Sequence, residues 1–216
     1  MIELENTRKR LRKKLLGLLC FSGGLGFVVG LGLFFFDPAM AFIGAIFITL
    51  LIYYYFKFKL TSEFEASLKE QVLAKFASEF GFEILSQDDP KNNPKSDFLY
   101  YSNLPFKDVN FSFYPLFKTK NGDEIYDVCL FDGDQIYFYG MFIKALNLGD
   151  CEEKIANLKA VFGCEISCKL DANMAFIYIN QGHDSLALNL KTPLNDNGLD
   201  ISQFRVKLQT ILKNLA

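Results

Sequence analysis

Histidine occurs once in these 216 residues, at position 183. That scarcity excludes the multi-histidine metal sites, because a closed structural zinc site needs four ligands. The sequence contains no G-x-x-x-x-G-K-[ST] loop, no G-x-G-x-x-G turn, no G-x-S-x-G elbow and no H-E-x-x-H helix. Each of these patterns places particular groups on a phosphate, a nucleophile or a metal, and none of that machinery is present in recognisable form. Cysteine is limited to Cys20, Cys129, Cys151, Cys164 and Cys168, an odd and scattered set. Such a set is no disulfide framework and fits a reducing compartment, where a free thiol packs as a small hydrophobe.

Charge is missing where it matters most. Residues 15–36 carry none, and residues 39–56 carry none. Between them lies only Asp37-Pro38. About 20 apolar residues span a bilayer core of roughly 30 Å as a helix, the one form that satisfies such a run's own backbone. The pattern predicts a two-helix transmembrane hairpin over 15–59, with spans at 15–36 and 39–56. Arg8, Lys9, Arg10, Arg12, Lys13 and Lys14 precede it in a basic N-terminus, 1–14, while Tyr53, Tyr54, Tyr55, Lys57 and Lys59 close it. The positive-inside rule and the two-span count both put the two flanks in the cytoplasm, with the protein multi-pass in the cell (inner) membrane. A cleaved secretory signal ending at Ala39-Met40-Ala41 is the rival, but signal cores run to about 7–15 residues and a second apolar run follows at once. With no Asp, Glu, Lys, Arg or His inside either span, an ion path through this chain alone is not expected.

Small residues mark a packing stripe. Ser22, Gly26 and Gly30 recur every fourth residue, and Ala41 and Ala45 do the same in the second span. That spacing lets helix backbones approach closely, either within the hairpin or between copies in a homo-oligomer.

The charge balance divides the chain. Residues 1–59 sum to +5 and residues 60–216 to −7. An acidic body is a poor match for nucleic acid, so the bilayer, a second copy or another membrane protein are the partners expected.

Residues 60–216 are expected to form a cytoplasmic α+β domain: an antiparallel sheet with helices on one face. Ser62-Glu63-Phe64-Glu65 has capping-box form, and Phe64, Leu68, Val72, Phe76 and Phe80 follow at four-residue spacing up to Gly81. Residues 86–97 read as a mobile loop, with Asp88 and Asp89 solvated rather than binding phosphate or metal. Strands are expected at Phe98–Ser102, Val109–Lys118, Ile125–Phe131 and Gln135–Leu146, the last three joined as a meander by Asn121-Gly122 and Asp132-Gly133-Asp134. A helix is expected from Asp150 to Phe162. Strands are expected at Cys164–Leu170, Ala175–Asn180 and Leu186–Leu190. A helix capped by Asp200 ends the chain, its face formed by Ile201, Phe204, Leu208, Ile211, Leu212 and Leu215.

Two turns carry the only catalytic candidates. Asp132 and Asp134 resemble a D-x-D metal motif, and Gly182-His183-Asp184-Ser185 offers a base, a carboxylate and a hydroxyl. Both sit where tight turns are wanted, and triad members normally converge from separate segments. A membrane-bound hydrolase or transferase using Asp132, Asp134, His183 and Asp184 would require the two turns to meet. Cys164 and Cys168 share a strand face and read as core. The sequence therefore points to a non-enzymatic membrane-anchored binding, scaffold or accessory protein, without cofactor or metal; a structural oligomer through the glycine-rich first span is a further alternative.

Phe138-Tyr139-Gly140-Met141-Phe142-Ile143 resembles the F-x-G-x-F strand of an uncharacterised bacterial membrane family. Tyr100–Phe106, the strand Met174–Ile179 and the amphipathic tail are also similar to it. The resemblance implies two N-terminal spans and a cytoplasmic α+β domain in a bacterial cytoplasmic membrane. It carries no catalytic residues.

Overall fold

A computed structural model describes residues 2–102, 104, 109–146, 151–186 and 199–215. The expected strand Leu186–Leu190, the loop before the last helix and the start of the helix at Asp150 lie largely or wholly outside the described residues, and the side chain of Asp200 is among those not described. The chain forms two compact units, one built on residues 1–70 and one on residues 71–189 and 199–216.

The first unit contains α1 (Ile2–Phe34) and most of α2 (Pro38–Phe80). Asp37 makes the break between them. Its carboxylate accepts the Ala39 amide at 2.8 Å and the Met40 amide at 3.4 Å. Pro38 takes the first helical position, where a missing N–H costs nothing. The basic residues Arg8 to Lys14 lie within α1, and Glu5 pairs with Arg8 at 2.6 Å. Both helices are long and apolar enough to cross a membrane, with mean hydropathy 2.0 in their most apolar stretches. Those stretches are only 11% and 6% buried, whereas a core helix of a soluble domain is mostly covered.

The packing between the two helices is built from small groups. Ser22 is fully buried, while Phe21 and Phe27 point away, 61% and 66% exposed. Thr49 Oγ1 donates to Ala45 O at 2.8 Å and reaches Ser22 O at 3.3 Å. A Cβ added at Gly26 would sit 2.0 Å from Thr49 Oγ1 and 2.5 Å from Ala45 O. One added at Gly30 would meet Ala45 Cβ at 3.0 Å and Ala41 O at 3.3 Å. Ser22, Gly26, Gly30, Ala41 and Ala45 thus line one intramolecular seam.

α2 has no cap at Ser62. It runs unbroken to Phe80, and Ser62 Oγ donates to Lys59 O at 3.1 Å. The capping-box reading is therefore corrected: nothing between Phe56 and Phe64 breaks helical propensity, so the second helix never restarts. At about 1.5 Å per residue, its 43 residues reach about 65 Å, twice a bilayer core.

The second unit is α+β. Its six-stranded sheet has the order β1-β2-β3-β4-β6-β5, antiparallel throughout: β1 (Glu83–Ile84), β2 (Asn110–Lys118), β3 (Glu124–Asp132), β4 (Gln135–Leu146), β5 (Glu165–Asp171) and β6 (Met174–Asn180). The bulge between Pro115 and Phe117 in β2 absorbs the proline, which cannot donate to the ladder. Helices α4 (Cys151–Phe162) and α5 (Leu199–Leu215) pack together, and α4 also lies against β5. Phe204 of α5 meets Phe76 of α2 edge-on, centroids 5.3 Å apart.

Phe98–Ser102 is a correction. It is not a strand but the end of α3 (Lys95–Tyr101). The aromatic run reads as β by propensity, but its inward residues are spaced by three: Phe98 is fully buried and Tyr101 stacks on Phe176 at 3.9 Å. The expected loop 86–97 is also partly ordered. Asp89 accepts the Lys91 amide at 3.0 Å and caps a 3₁₀ turn at Pro90–Asn92.

Phe98 is the centre of one sheet face. Its ring lies 5.1–5.4 Å from those of Phe111, Phe138, Phe142 and Tyr178. Residues of the other parity, Ile125, Met141, Ile143, Ile177 and Ile179, are also fully buried. Gly140 sits where β4 meets the end of β6. A Cβ there would lie 2.1 Å from Ile179 O, which gives the F-x-G-x-F strand its glycine a steric reason.

Candidate functional site

A groove of about 230 Å³ opens on the Phe98 face, between the C-terminal end of α3, the start of β4, and strands β5 and β6. Its position follows from strand parity. Glu165, Ser167 and Lys169 of β5 stand opposite Asn180, Tyr178 and Phe176 of β6 and project to the same side as those residues. Ile166, Cys168 and Leu170 project to the other. The apolar wall is Phe138 and Tyr178. The polar wall combines Glu165, Ser167, Lys169 and Asn180 with Ser102, the residue that terminates α3.

Ser102 is held by its backbone. Its amide donates to Phe98 O at 3.0 Å, and Tyr178 OH approaches the same carbonyl at 3.5 Å. The Ser102 hydroxyl, by contrast, is buried and has no hydrogen-bond partner among the described residues. Buried hydroxyls normally find one, so this group calls for an explanation. Asn180 Oδ1 accepts the Tyr139 amide at 3.3 Å, leaving its amide nitrogen as a donor. At the groove's flank Tyr101 OH donates to Asp171. That bond, with burial and further carboxylate charge behind it, pushes the phenol up to about 12. Burial chiefly raises Tyr178 well above the usual phenol range, so both rings remain neutral donors.

An ion network fixes α3 at the other end of the same face. Lys144 Nζ lies 3.0 Å from Asp97 and 2.9 Å from Glu124, and Tyr126 OH donates to Glu124 at 2.9 Å. Burial opposes the Glu124 charge, but the bonds from Lys144 and Tyr126 outweigh it and hold the carboxyl below its ordinary value. Lys144 is raised for the mirror reason: burial lowers it and its two carboxylates more than compensate.

The catalytic candidates do not converge. Asp132 pairs with Gln135 at the β3–β4 turn, and Asp132 and Asp134 are exposed. The amides of Gln181 and Gly182 bond Tyr139 O, four residues further along β4. At about 3.3 Å per residue the two turns are roughly 13 Å apart, beyond reach even through one water. His183 is exposed and its Nδ1 lies 2.8 Å from Asp184 O. Asp184 accepts the Leu186 amide at 2.9 Å. The turn is anchored by a residue the sequence did not single out. Asp127, 4% exposed, accepts Ser185 Oγ at 2.6 Å and the Ser185 amide at 3.2 Å. Ser185 is thus tied to a carboxylate with His183 pointing elsewhere, an arrangement for holding a loop and not for activating a nucleophile. Among the described residues no group of three metal-ligating side chains comes together, and the half-buried Cys164 and Cys168 form no disulfide.

No protein family, no curated protein and no solved structure matches this chain. The reading of the groove rests on its own chemistry. Part of it was legible beforehand, since Glu165, Ser167 and Lys169 alternate with apolar residues on a strand. Ser102 was not, because its burial depends on α3 being a helix.

Proposed function

We propose that the chain is a membrane-anchored, non-enzymatic binding, scaffold or accessory protein of the bacterial inner membrane. Its two termini and its α+β unit lie on the cytoplasmic side. The observation that carries this reading is the inverted polarity of the first unit, where small and hydroxyl side chains are inside and large apolar ones are outside. Ser22 and Ala41 are buried while Phe27, Phe42, Ile43 and Phe47 are each more than 60% exposed. That arrangement is costly in water and favourable in lipid, where helix association relies on close packing of small residues. The basic flanks support the orientation. That Cys20, Cys129, Cys164 and Cys168 form no disulfide among the described residues agrees with a reducing compartment. Membership of the two-span bacterial family belongs to the same proposal.

Neither alternative gains support. The turn residues of the hydrolase reading are separated, and the small-residue stripe of the oligomer reading is occupied by the hairpin itself. The test is extraction of isolated membranes with alkaline carbonate. The chain is expected to stay in the pellet and to leave it only with detergent. Release by carbonate contradicts an anchor.

A further inference from the structure

We infer that the groove beside Ser102 binds a short zwitterionic peptide in extended form, with its ammonium at Glu165 and its carboxylate at Lys169. This names a ligand class for the binding role proposed above and rests on that reading. Three features of the groove, taken together, lead to it.

The first is the pair of opposite charges. Neither Glu165 nor Lys169 has an ion-pair partner among the described residues. The nearby carboxylate of Asp171 is engaged by Tyr101. Glu165 and Lys169 are four residues apart on one strand face, about 13 Å between Cα atoms. An extended tripeptide reaches about 10 Å from end to end, so charged contacts at both ends fit that span. A single amino acid is too short to meet both.

The second is what lies between the charges. Ser167 is the middle residue of the row, Ser102 lines the groove with it, and the Asn180 amide stands beside Glu165 on the neighbouring strand. These are neutral donors, suited to peptide carbonyls. Ser102 is 8% exposed and its buried hydroxyl has no partner among the described residues, so a side-chain rotation towards a bound carbonyl satisfies a group left unsatisfied there. The third is the apolar wall of Phe138 and Tyr178, which accepts one uncharged side chain at the middle position. A metal ion would find one carboxylate, Glu165, among the groove's lining residues. A phosphate would find one cation and an opposing carboxylate.

The test is calorimetry on the detergent-solubilised full chain with three probes: the tripeptide Ala-Leu-Ala, its N-acetylated form and its C-terminal amide. The free peptide is expected to bind, and each blocked form at least tenfold more weakly. Glu165→Gln should erase the discrimination against acetylation and leave that against amidation. Lys169→Gln should do the reverse. Ser102→Ala should weaken all three probes by a similar factor. Both charged side chains are exposed, and circular dichroism checks that the variants fold. Absence of binding by Ala-Leu-Ala overturns the proposal, as does equal binding of the blocked forms or discrimination that survives both substitutions. Failure here with the chain still resisting carbonate removes the ligand and leaves the anchored protein standing.

Discussion

Replacing Phe98 with alanine is expected to destabilise the α+β unit by about 4 kcal/mol, within the range for emptying a buried aromatic site. The ring is fully buried and meets four other rings at 5.1–5.4 Å. It is also the only residue of α3 that is buried. Its loss therefore creates a cavity and unfastens the helix that carries Ser102 and Tyr101. The remaining fastenings are the Lys144–Asp97 pair at 3.0 Å and the Tyr101 stack on Phe176, and neither fills the hole. Chemical unfolding in micelles, followed by near-ultraviolet circular dichroism of the tyrosines, measures the effect. Tyr100→Ala is the control. Tyr100 is 81% exposed in the same helix, and its removal should cost no more than about 0.5 kcal/mol. Equal effects from the two substitutions would mean that α3 does not pack on the sheet as described.

Gly26→Ile is the second large effect. The added Cβ would fall 2.5 Å from Ala45 O, and a backbone carbonyl cannot rotate away as the Thr49 hydroxyl can. The helices must part, at a cost of about 3 kcal/mol for forced overpacking. Gly23→Ile meets nothing within 4 Å and should be silent. A cysteine pair at positions 22 and 49, where Thr49 Oγ1 reaches Ser22 O at 3.3 Å, reports the seam by oxidative cross-linking within the chain. The link should form with Gly23→Ile and be lost with Gly26→Ile. If it survives Gly26→Ile while links between chains disappear, the stripe works between copies and not within the hairpin.

These two cases show what was legible in the sequence. The hairpin could be read because a charge-free run of such length has few physical solutions, and because small residues every fourth position need a close neighbour. The β2–β3–β4 meander could be read from its turns, and Asn121-Gly122 and Asp132-Gly133 fall where strands reverse. What failed, failed for identifiable reasons. Tyr100 and Tyr101 have strand propensity, but α3 is decided by the burial of Phe98 against partners distant in sequence. Ser62-Glu63-Phe64-Glu65 has the letters of a cap, yet a cap forms only where the preceding residues leave the helix, and here they do not. The role of Asp127 was invisible because a carboxylate inside an apolar strand reveals its function only when Ser185, 58 residues away, is seen bonded to it.

The anchored orientation is the central claim, and the accessibility of residue 134 tests it most directly. Asp134 is exposed at the β3–β4 turn, so Asp134→Cys presents a thiol without disturbing the fold. A membrane-impermeant maleimide, read by mass on the peptide carrying residue 134, is applied to inside-out vesicles and to spheroplasts of the same cells. The account predicts labelling in inside-out vesicles and none in intact spheroplasts. Labelling in spheroplasts would place the α+β unit outside the cytoplasmic membrane and contradict it.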